Sequence, residues 1–460
     1  MAVVTSVPTS ALEFGNRIDA ELYRPSLRQS FERIFQTGLP VTRLRRVCII
    51  RSGTTPPDRV DGLTEGPILF KTTDIRNGVI PPQGDYYRIT DDVHRRMAKT
   101  RLEDRDVLLN IVGATLDVIG RSAFVSRLGE EANITQAMVF LRCQTPDVLP
   151  GFLFAYLNTR YGQDQIARYA RPTGQYNLNL QEVGHICIPL LPTHKQRAIE
   201  QLILSASALQ DVSMASYAQA EKHFESELGL NTLTFQKPIG YAARFSTVGW
   251  SETISAGRVD AQCFAPDARF YESWLRAHTR CDRLGALLQS TSKGRQQVDA
   301  DDGSTDYCSI KHINGRELVE VSKCFPQADT LLARPKDLLL AITGATIGKI
   351  GIVKRYEQLA FSGDLLCLRA NESIDPHYLL LALDHKIGQV QFIRWITGST
   401  NGHLAPRDVA RVLVPRLSGE VEAKIADLVK DSLARRQESE QLLESAKKRV
   451  EQLIEEAVQP

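Results

Sequence analysis

The chain has 460 residues, 43% hydrophobic and 24% charged, with a formal net charge of +2 at pH 7. That length accommodates two or three domains, each able to bury its own core. The near-neutral balance excludes retention of polyanions by bulk charge. Any nucleic-acid binding must come from local basic surfaces, because fields decay over about 10 Å in salt.

Taken in chain order, the elements come twice. An opening segment (1–37) carries Arg17-Ile18-Asp19-Ala20, then Tyr23 and Pro25; a second (241–277) carries Arg258-Val259-Asp260-Ala261, then Phe264 and Pro266. A mixed region follows, whose short apolar runs read as buried strands: Ile68 to Phe70, Val107 to Leu109, Met138 to Leu141, then Leu338 to Ile342 and Leu365 to Leu368. Asp106-Val107-Leu108-Leu109, ending in Gly113-Ala114-Thr115, returns as Asp337-Leu338-Leu339-Leu340, ending in Gly344-Ala345-Thr346. Gly120-Arg121 matches Gly348-Lys349, with three extra residues in the first copy of this loop. Leu141-Arg142 matches Leu368-Arg369. Thr173-Gly174 with Asn177 and Leu180 matches Thr397-Gly398 with Asn401 and Leu404. Pro189, Ile199 and Leu202 match Pro415, Ile425 and Leu428. A period of roughly 200 residues or more is a domain duplication and not a solenoid, whose repeats run about 20–50 residues.

Each copy also holds a helical stretch, Gly151 to Tyr169 and Pro376 to Ile396, and ends in a long helix. No Gly or Pro interrupts His194 to Leu228 or Val421 to Val458. Ile199, Leu202, Ala206, Leu209, Ser213, Ser216, Ala220, Phe224 and Leu228 fall at spacings of 3 and 4. So do Val421, Ile425, Leu428, Ser432, Arg435, Ser439, Leu442, Ala446, Val450, Leu453 and Ala457. Each helix should be ~50 Å long at ~1.5 Å per residue. Neither can bury its stripe alone, and the simplest partner is the other. The expected fold is α+β: a tandem duplication of a mixed α/β domain, each copy followed by a long helix, the two helices pairing as an antiparallel coiled coil. The expected boundaries are 1–193, 194–240, 241–417 and 418–460.

The eight cysteines form no C-x-x-C pair and partner no His at zinc-ligand spacing, which suits reduced thiols and no metal site. The N-terminus lacks a basic-then-apolar signal, and no apolar run reaches about 18 residues, so a cytoplasmic chain with no membrane partner is expected. No catalytic constellation stands out. Gly344 to Ile350 fails as a phosphate loop, since too few residues separate its glycines and Ile350 stands where Ser or Thr must reach a metal. It reads as a strand-to-strand turn carrying a basic residue.

Polar loops occupy equivalent places in both copies. The first holds Lys71, Thr73, Asp74, Arg76 and Asn77, matched by Lys311, His312, Asn314 and Arg316. The second is the Gly-Ala-Thr loop, with Thr115 and Arg121 against Thr346 and Lys349. The third holds Thr173, Gln175 and Asn177 against Thr397, Ser399, Asn401 and His403. These residue types read base edges: Lys and Arg at guanine, Asn and Gln at adenine, Ser and Thr at either. Gly lets backbone N–H groups approach phosphates. A duplicated reader should keep its frame and vary its reading residues.

The order of motifs resembles the specificity subunit of a type I restriction-modification system. It is carried by the Gly344 to Lys349 turn, the strand Ser362 to Arg369, the Thr173 to Asn177 loop, the strand end Ile188 to Pro192 and the helix opening Gln196 to Ile199. The resemblance spans nearly the whole chain, twice. The helix starts depart from it: Lys195-Gln196 and Val421-Glu422 stand where the family commonly has Glu-Gln. It implies two target recognition domains, each reading half of a split double-stranded DNA sequence. The helices would form a spacer that docks methyltransferase (modification) subunits, joined by restriction/translocase subunits. S-adenosylmethionine would be bound by the methyltransferase partners, and this chain would hold neither cofactor nor catalytic residue. Two alternatives stay open: a specificity-like subunit of another methylation-linked phage-defence system, and a protein scaffold that does not bind DNA.

Overall fold

The apolar runs form strands buried on both faces. In the computed structural model, the described residues are 20–81, 84–172, 174–236, 238–242, 258, 260–398 and 401–458. The chain divides into two compact units, one of residues 1–212 with 435–460, the other of 213–434. Two of the expected boundaries, 193/194 and 417/418, stand at the starts of the long helices; the compact units divide each long helix part-way along.

In the first unit a five-stranded sheet runs in the order Cys48–Ser52, Met138–Cys143, Val107–Asn110, Ser122–Phe124, Gly78–Val79. Its last pair is parallel and the others antiparallel. Alternation along a strand sends successive side chains to opposite faces. Val107 and Leu109 pack with Phe152, Leu153 and Tyr156 of the helices. Leu108 packs on the other side, with Phe70 and Ile134 of a small parallel strand pair. The second unit repeats this order with Leu288–Lys293, Leu365–Ala370, Leu338–Ala341, Ile350–Ile352 and Glu317–Leu318, and adds Ile313–Asn314 at the edge. Leu338 and Leu340 face the helices, and Leu339 faces the smaller sheet.

The repeated Leu-Arg has a physical reason. Arg142 grips the fully buried Asp106 with two bonds of 2.8 Å. Arg369 grips Asp337 in the same way, at 2.8 and 2.6 Å. Each Asp also accepts the backbone N–H three residues before it, from Glu103 and Arg334. The pair welds the middle strand to its neighbour and to the turn that enters it.

Each expected helical stretch is two helices, Pro150–Leu157 with Arg160–Tyr169, and Pro376–Asp384 with Lys386–Trp395. Capping ends the first and starts the second. Thr159 accepts from the Gly162 N–H, and His385 from the Ile387 N–H. The glycines at 162 and 388 let the new helix press on the end of the old one, since a Cβ there would lie 2.5 Å from the carbonyl oxygens of Tyr156 and Leu383.

The long helices are Thr193–Glu227 and Gly419–Val458. In the first unit, Ile199 and Ile203 share one core with Ala446, Val450, Leu453 and Ile454. In the second, Tyr217, Ala220, Phe224 and Leu228 share one with Ile425, Val429 and Leu433. Within each unit the two helix segments run antiparallel at close approach. Ser439 Oγ donates to the Ala206 carbonyl at 2.7 Å in the first unit, and Ser213 Oγ to the Ser432 carbonyl at 2.7 Å in the second. The seam differs from the expected one. Leu202, Leu209, Leu428 and Arg435 are only half-buried, while Ile203, Tyr217, Val429 and Leu433 are buried. A helix that packs on a domain as well as on a helix needs a stripe wider than a two-position seam.

Glu455 locks the end of the second helix into the first unit. It accepts from Arg33 at 2.8 Å and from Arg160 and Tyr161. The Tyr161 hydroxyl, then the Arg33 guanidinium, hold its carboxyl below the usual range. A depressed carboxylate stabilises the fold above its unfolded pKa, and that contribution is lost as pH falls through the folded value. Glu455→Gln should therefore lower the melting temperature at pH 7 by about 2–4 °C. The gap from wild type should close below about pH 4, as scanning calorimetry across pH would record.

Candidate nucleic-acid interface

Three polar loops converge in each unit, held by backbone bonds. In the first, Tyr176–Asn177 pairs with Val112–Gly113, so the Thr-Gly loop lies beside the Gly-Ala-Thr loop. The Leu178 N–H donates to the Ile111 carbonyl at 2.9 Å. Buried Asn110 ties in the first loop, its Nδ2 donating to the carbonyls of Thr72 and Val118 at 3.3 Å each. In the second unit Gly344 N–H donates to Gly402 at 3.1 Å and Leu404 N–H to Ile342 at 2.9 Å. The two units thus bring the second and third loops together by the same bonds.

A further brace is duplicated. Gln163 Nε2 donates to the carbonyls of Gly120 and Leu157 at 3.2 and 2.6 Å. Gln389 donates to Gly348 and Leu383 at 3.0 and 2.9 Å. Gly120 and Gly348 have φ of +84° and +95°, and a Cβ at 348 would sit 2.4 Å from the Gln389 Oε1. These glutamines escaped the reading of the sequence, although Gly162-Gln163 and Gly388-Gln389 repeat in register and were the available signal.

The first loops correspond two residues away from the expected match. The Asp74 carboxylate accepts the Lys71 N–H at 2.7 Å, and His312 Nδ1 accepts the Ser309 N–H at 2.9 Å. The short helices Thr72–Asp74 and Ile310–His312 are therefore equivalent. Thr73 corresponds to Lys311, Arg76 to Asn314, and Asn77 (φ +52°) to Gly315 (φ +63°). Burial pushes the Asp74 carboxyl up and the His312 imidazole down. His312 is 5% exposed and closes its own turn, so it is no surface reader. Arg316 stacks on Tyr217 and pairs with Asp384, which removes it from the loop set as well. Asn77 Oδ1 accepts the Ser122 N–H at 3.0 Å and so shapes the frame.

Thr73, Arg76, Thr115, Gln175 and Lys311 are exposed. Lys71 lies over the Tyr87 ring at 3.8 Å, and Lys311 meets Asp299 at 3.1 Å. Arg121 donates to the Asp117 carbonyl and carboxylate at 2.7 and 3.2 Å. Asp117 lies among the three extra residues of the first loop, so the insertion brings its own counter-charge. Lys349 is exposed, with no side-chain partner among the described residues. Asn177 Nδ2 donates to the Gln175 carbonyl at 3.4 Å, whereas Asn401 is exposed, and no hydrogen bond within the described residues holds its side chain. Thr397 bonds the His403 carbonyl through Oγ1 at 3.1 Å and through its N–H at 2.8 Å, closing a hairpin, while Thr346 and Asn314 are half-buried. Thr173 and Ser399 lie outside the described residues. Among the described residues no group of three metal-ligating side chains gathers, and no helix is long and apolar enough to cross a membrane.

No protein-family model matches the chain, and no relative is found among curated proteins. The comparison with solved structures does find likenesses. The S subunit of the type I restriction-modification system from M. genitalium is 12% identical, with 92% of this chain and 96% of that chain covered and a TM-score of 0.42. The HsdS subunit from Thermoanaerobacter tengcongensis is 15% identical, with 91% and 96% covered and a TM-score of 0.29. A structure solved for assembly and conformational transition of the type I R-M system is 15% identical, with 91% and 98% covered and a TM-score of 0.29. Two of these solved chains, each matched over more than nine-tenths of this sequence, are S subunits of type I restriction-modification systems.

The frame role of Asn77 is testable by stability alone. Asn77→Ala removes the bond to Ser122 and places Ala at positive φ, which should cost about 1–3 kcal/mol. Asn77→Gly, the residue of the second unit, should recover part of that loss in a denaturant titration. Wild-type stability in both variants would remove Asn77 from the frame.

Proposed function

We propose that this chain is the sequence-specific DNA-recognition subunit of a type I restriction-modification complex, each unit reading one half of a two-part target. One observation carries the reading. The same loops converge on the same frame in both units, while the side chains they present differ. Side chains that vary on a constant frame suit two different base sequences. The long helices would set the gap between the half-sites and dock the methyltransferase subunits, with S-adenosylmethionine bound there. Restriction/translocase subunits would join that complex in the cytoplasm. This chain would bind and orient double-stranded DNA and supply no reacting group.

In the second unit, exposed Asn401 can offer the two-pronged amide that pairs with adenine, and exposed Lys349, unpaired among the described residues, a cation for phosphate or guanine. In the first unit, Arg121 is already neutralised by Asp117. Thr73, Arg76, Thr115 and Gln175 are the exposed candidates there.

The decisive experiment maps methylated bases across the genome of a host carrying this chain with its partner subunits. A two-part motif is expected. Replacing residues 38–190 with the equivalent domain of a relative should change one half of that motif and leave the other intact. A swap that alters both halves would sink the division of labour.

Charge substitutions add a second measurement. For a phosphate contact, Lys349→Ala should weaken retention of all DNA sequences and reduce the salt slope by about one unit. Arg121→Ala should change the slope by much less, because its charge is balanced locally. Equal slopes for both variants would contradict this assignment.

A further inference from the structure

One pair of equivalent positions departs from the shared frame. Glu317 pairs with Ile352 in the second sheet at the place where Val79 pairs with Phe124 in the first. Gly78 and Val79 of the first unit therefore correspond to Arg316 and Glu317. The first unit closes its sheet with an uncharged pair, and the second uses two charges.

Both charges reach the long-helix segments of the second unit. The Arg316 guanidinium lies 3.3 Å from the Tyr217 ring centroid, and its Nε donates to Asp384 at 2.6 Å. The Tyr217 hydroxyl donates to the same carboxylate at 3.2 Å, and Glu221 stands 3.7 Å from Arg316. Glu317, 2% exposed, accepts from Lys354, whose ammonium also donates to the Leu433 carbonyl at 2.8 Å. Tyr217 and Glu221 belong to the first long helix, and Leu433 to the second.

At the equivalent places of the first unit stand Leu443, Lys447, Asn158 and Ser126. The two bonds Ser213–Ser432 and Ser439–Ala206 fix that correspondence along the helices, and the two glutamine braces fix it for Asn158. The fold itself does not require the charges, because the first unit builds the same sheet without them. Desolvated charges carry a penalty, and a defined geometry is the best-attested reason to keep them.

We propose that Arg316 and Glu317 are positioning residues, a charged clasp that fastens the strand Glu317–Leu318 of the second unit to both long helices. The strand follows directly on the turn 309–315 that presents Lys311 and Asn314. Fastening it fixes the attitude of that turn toward DNA. The first unit holds its corresponding turn from within, through Asn110 and Asn77. The clasp rests on the reading of the units as DNA readers only for its effect on specificity.

The test uses Arg316→Ala and Asp384→Asn in the full chain. Asp384→Asn copies the residue that the first unit already carries, so it guards against simple misfolding. Hydrogen exchange of the free chain should speed up across 309–318 and stay unchanged across 71–79. In the complex with its partner subunits, methylome mapping should show discrimination falling on the order of tenfold at the second unit's half-site, with the first half intact. Unchanged exchange across 309–318 in both variants would overturn the clasp. So would faster exchange with both half-sites intact, because it would leave the charges a purely structural role. A wild-type complex that methylates no two-part sequence would defeat the proposed function, and the exchange measurement would still decide whether the clasp exists.

Discussion

A long helix with apolar residues along one side cannot keep them from water by itself, and most helical stability in proteins comes from packing that face. Here each unit meets that constraint with segments from distant parts of the sequence. The first core is closed by Ala446, Val450, Leu453 and Ile454, which lie at the far end of the chain. Burying three large aliphatic side chains stabilises by about 5–9 kcal/mol as an upper estimate. That is comparable to the entire stability of an ordinary domain, about 5–15 kcal/mol. The first unit therefore depends on residues 435–458 for its fold. The second depends likewise on Tyr217, Ala220, Phe224 and Leu228, which precede its own sheet. Contacts of such long sequence separation form late and slow the completion of folding.

Much of this was legible in the sequence because packing imposes period and order. Val107 to Leu109 and Leu338 to Leu340 read as buried strands because both faces are covered, and both faces are. The long helices showed through uninterrupted stripes. Their exact seam did not, because a stripe shared between a domain and a helix is ambiguous by one position. The breaks near Thr159 and His385 were hidden because a cap inside an apolar stretch leaves the 3.6-residue rhythm almost intact. Asp106 and Arg142 stood out as repeated letters, but their pairing requires strands to be placed side by side, which local pattern cannot do.

The candidate site was legible as a set of loops more than as a set of residues. Only the basic turn kept its match, with Gly120 and Gly348 both at positive φ, whereas the Thr-Gly loop slipped by two residues: Leu178 bonds Ile111 as Leu404 bonds Ile342, so Asn177 corresponds to His403 and not to Asn401. The first loop slipped by two residues because a capping Asp and a capping His perform the same task with different letters. Side-chain chemistry alone therefore aligned Lys71 with Lys311, whereas hydrogen bonding aligns Asp74 with His312. Arg316 looked like a reader for the same reason. A cation in a polar loop carries no mark of the tyrosine it stacks on when that tyrosine lies on another helix.

The two copies have kept what bears mechanical strain and changed what faces outward. The Asp-Arg welds, the glutamine braces and the serine-to-carbonyl contacts recur with matching geometry. The basic turn has diverged by a different route in each unit. The first gained residues, and Asp117 among them neutralises Arg121. The second has the short turn, and among the described residues Lys349 has no side-chain partner. A cation balanced by its own turn contributes little field beyond a few ångströms, whereas a free one acts out to about the Debye length. With the chain near neutrality overall, such local choices decide where its surface potential turns positive. They let one frame carry two surfaces of different electrostatic strength.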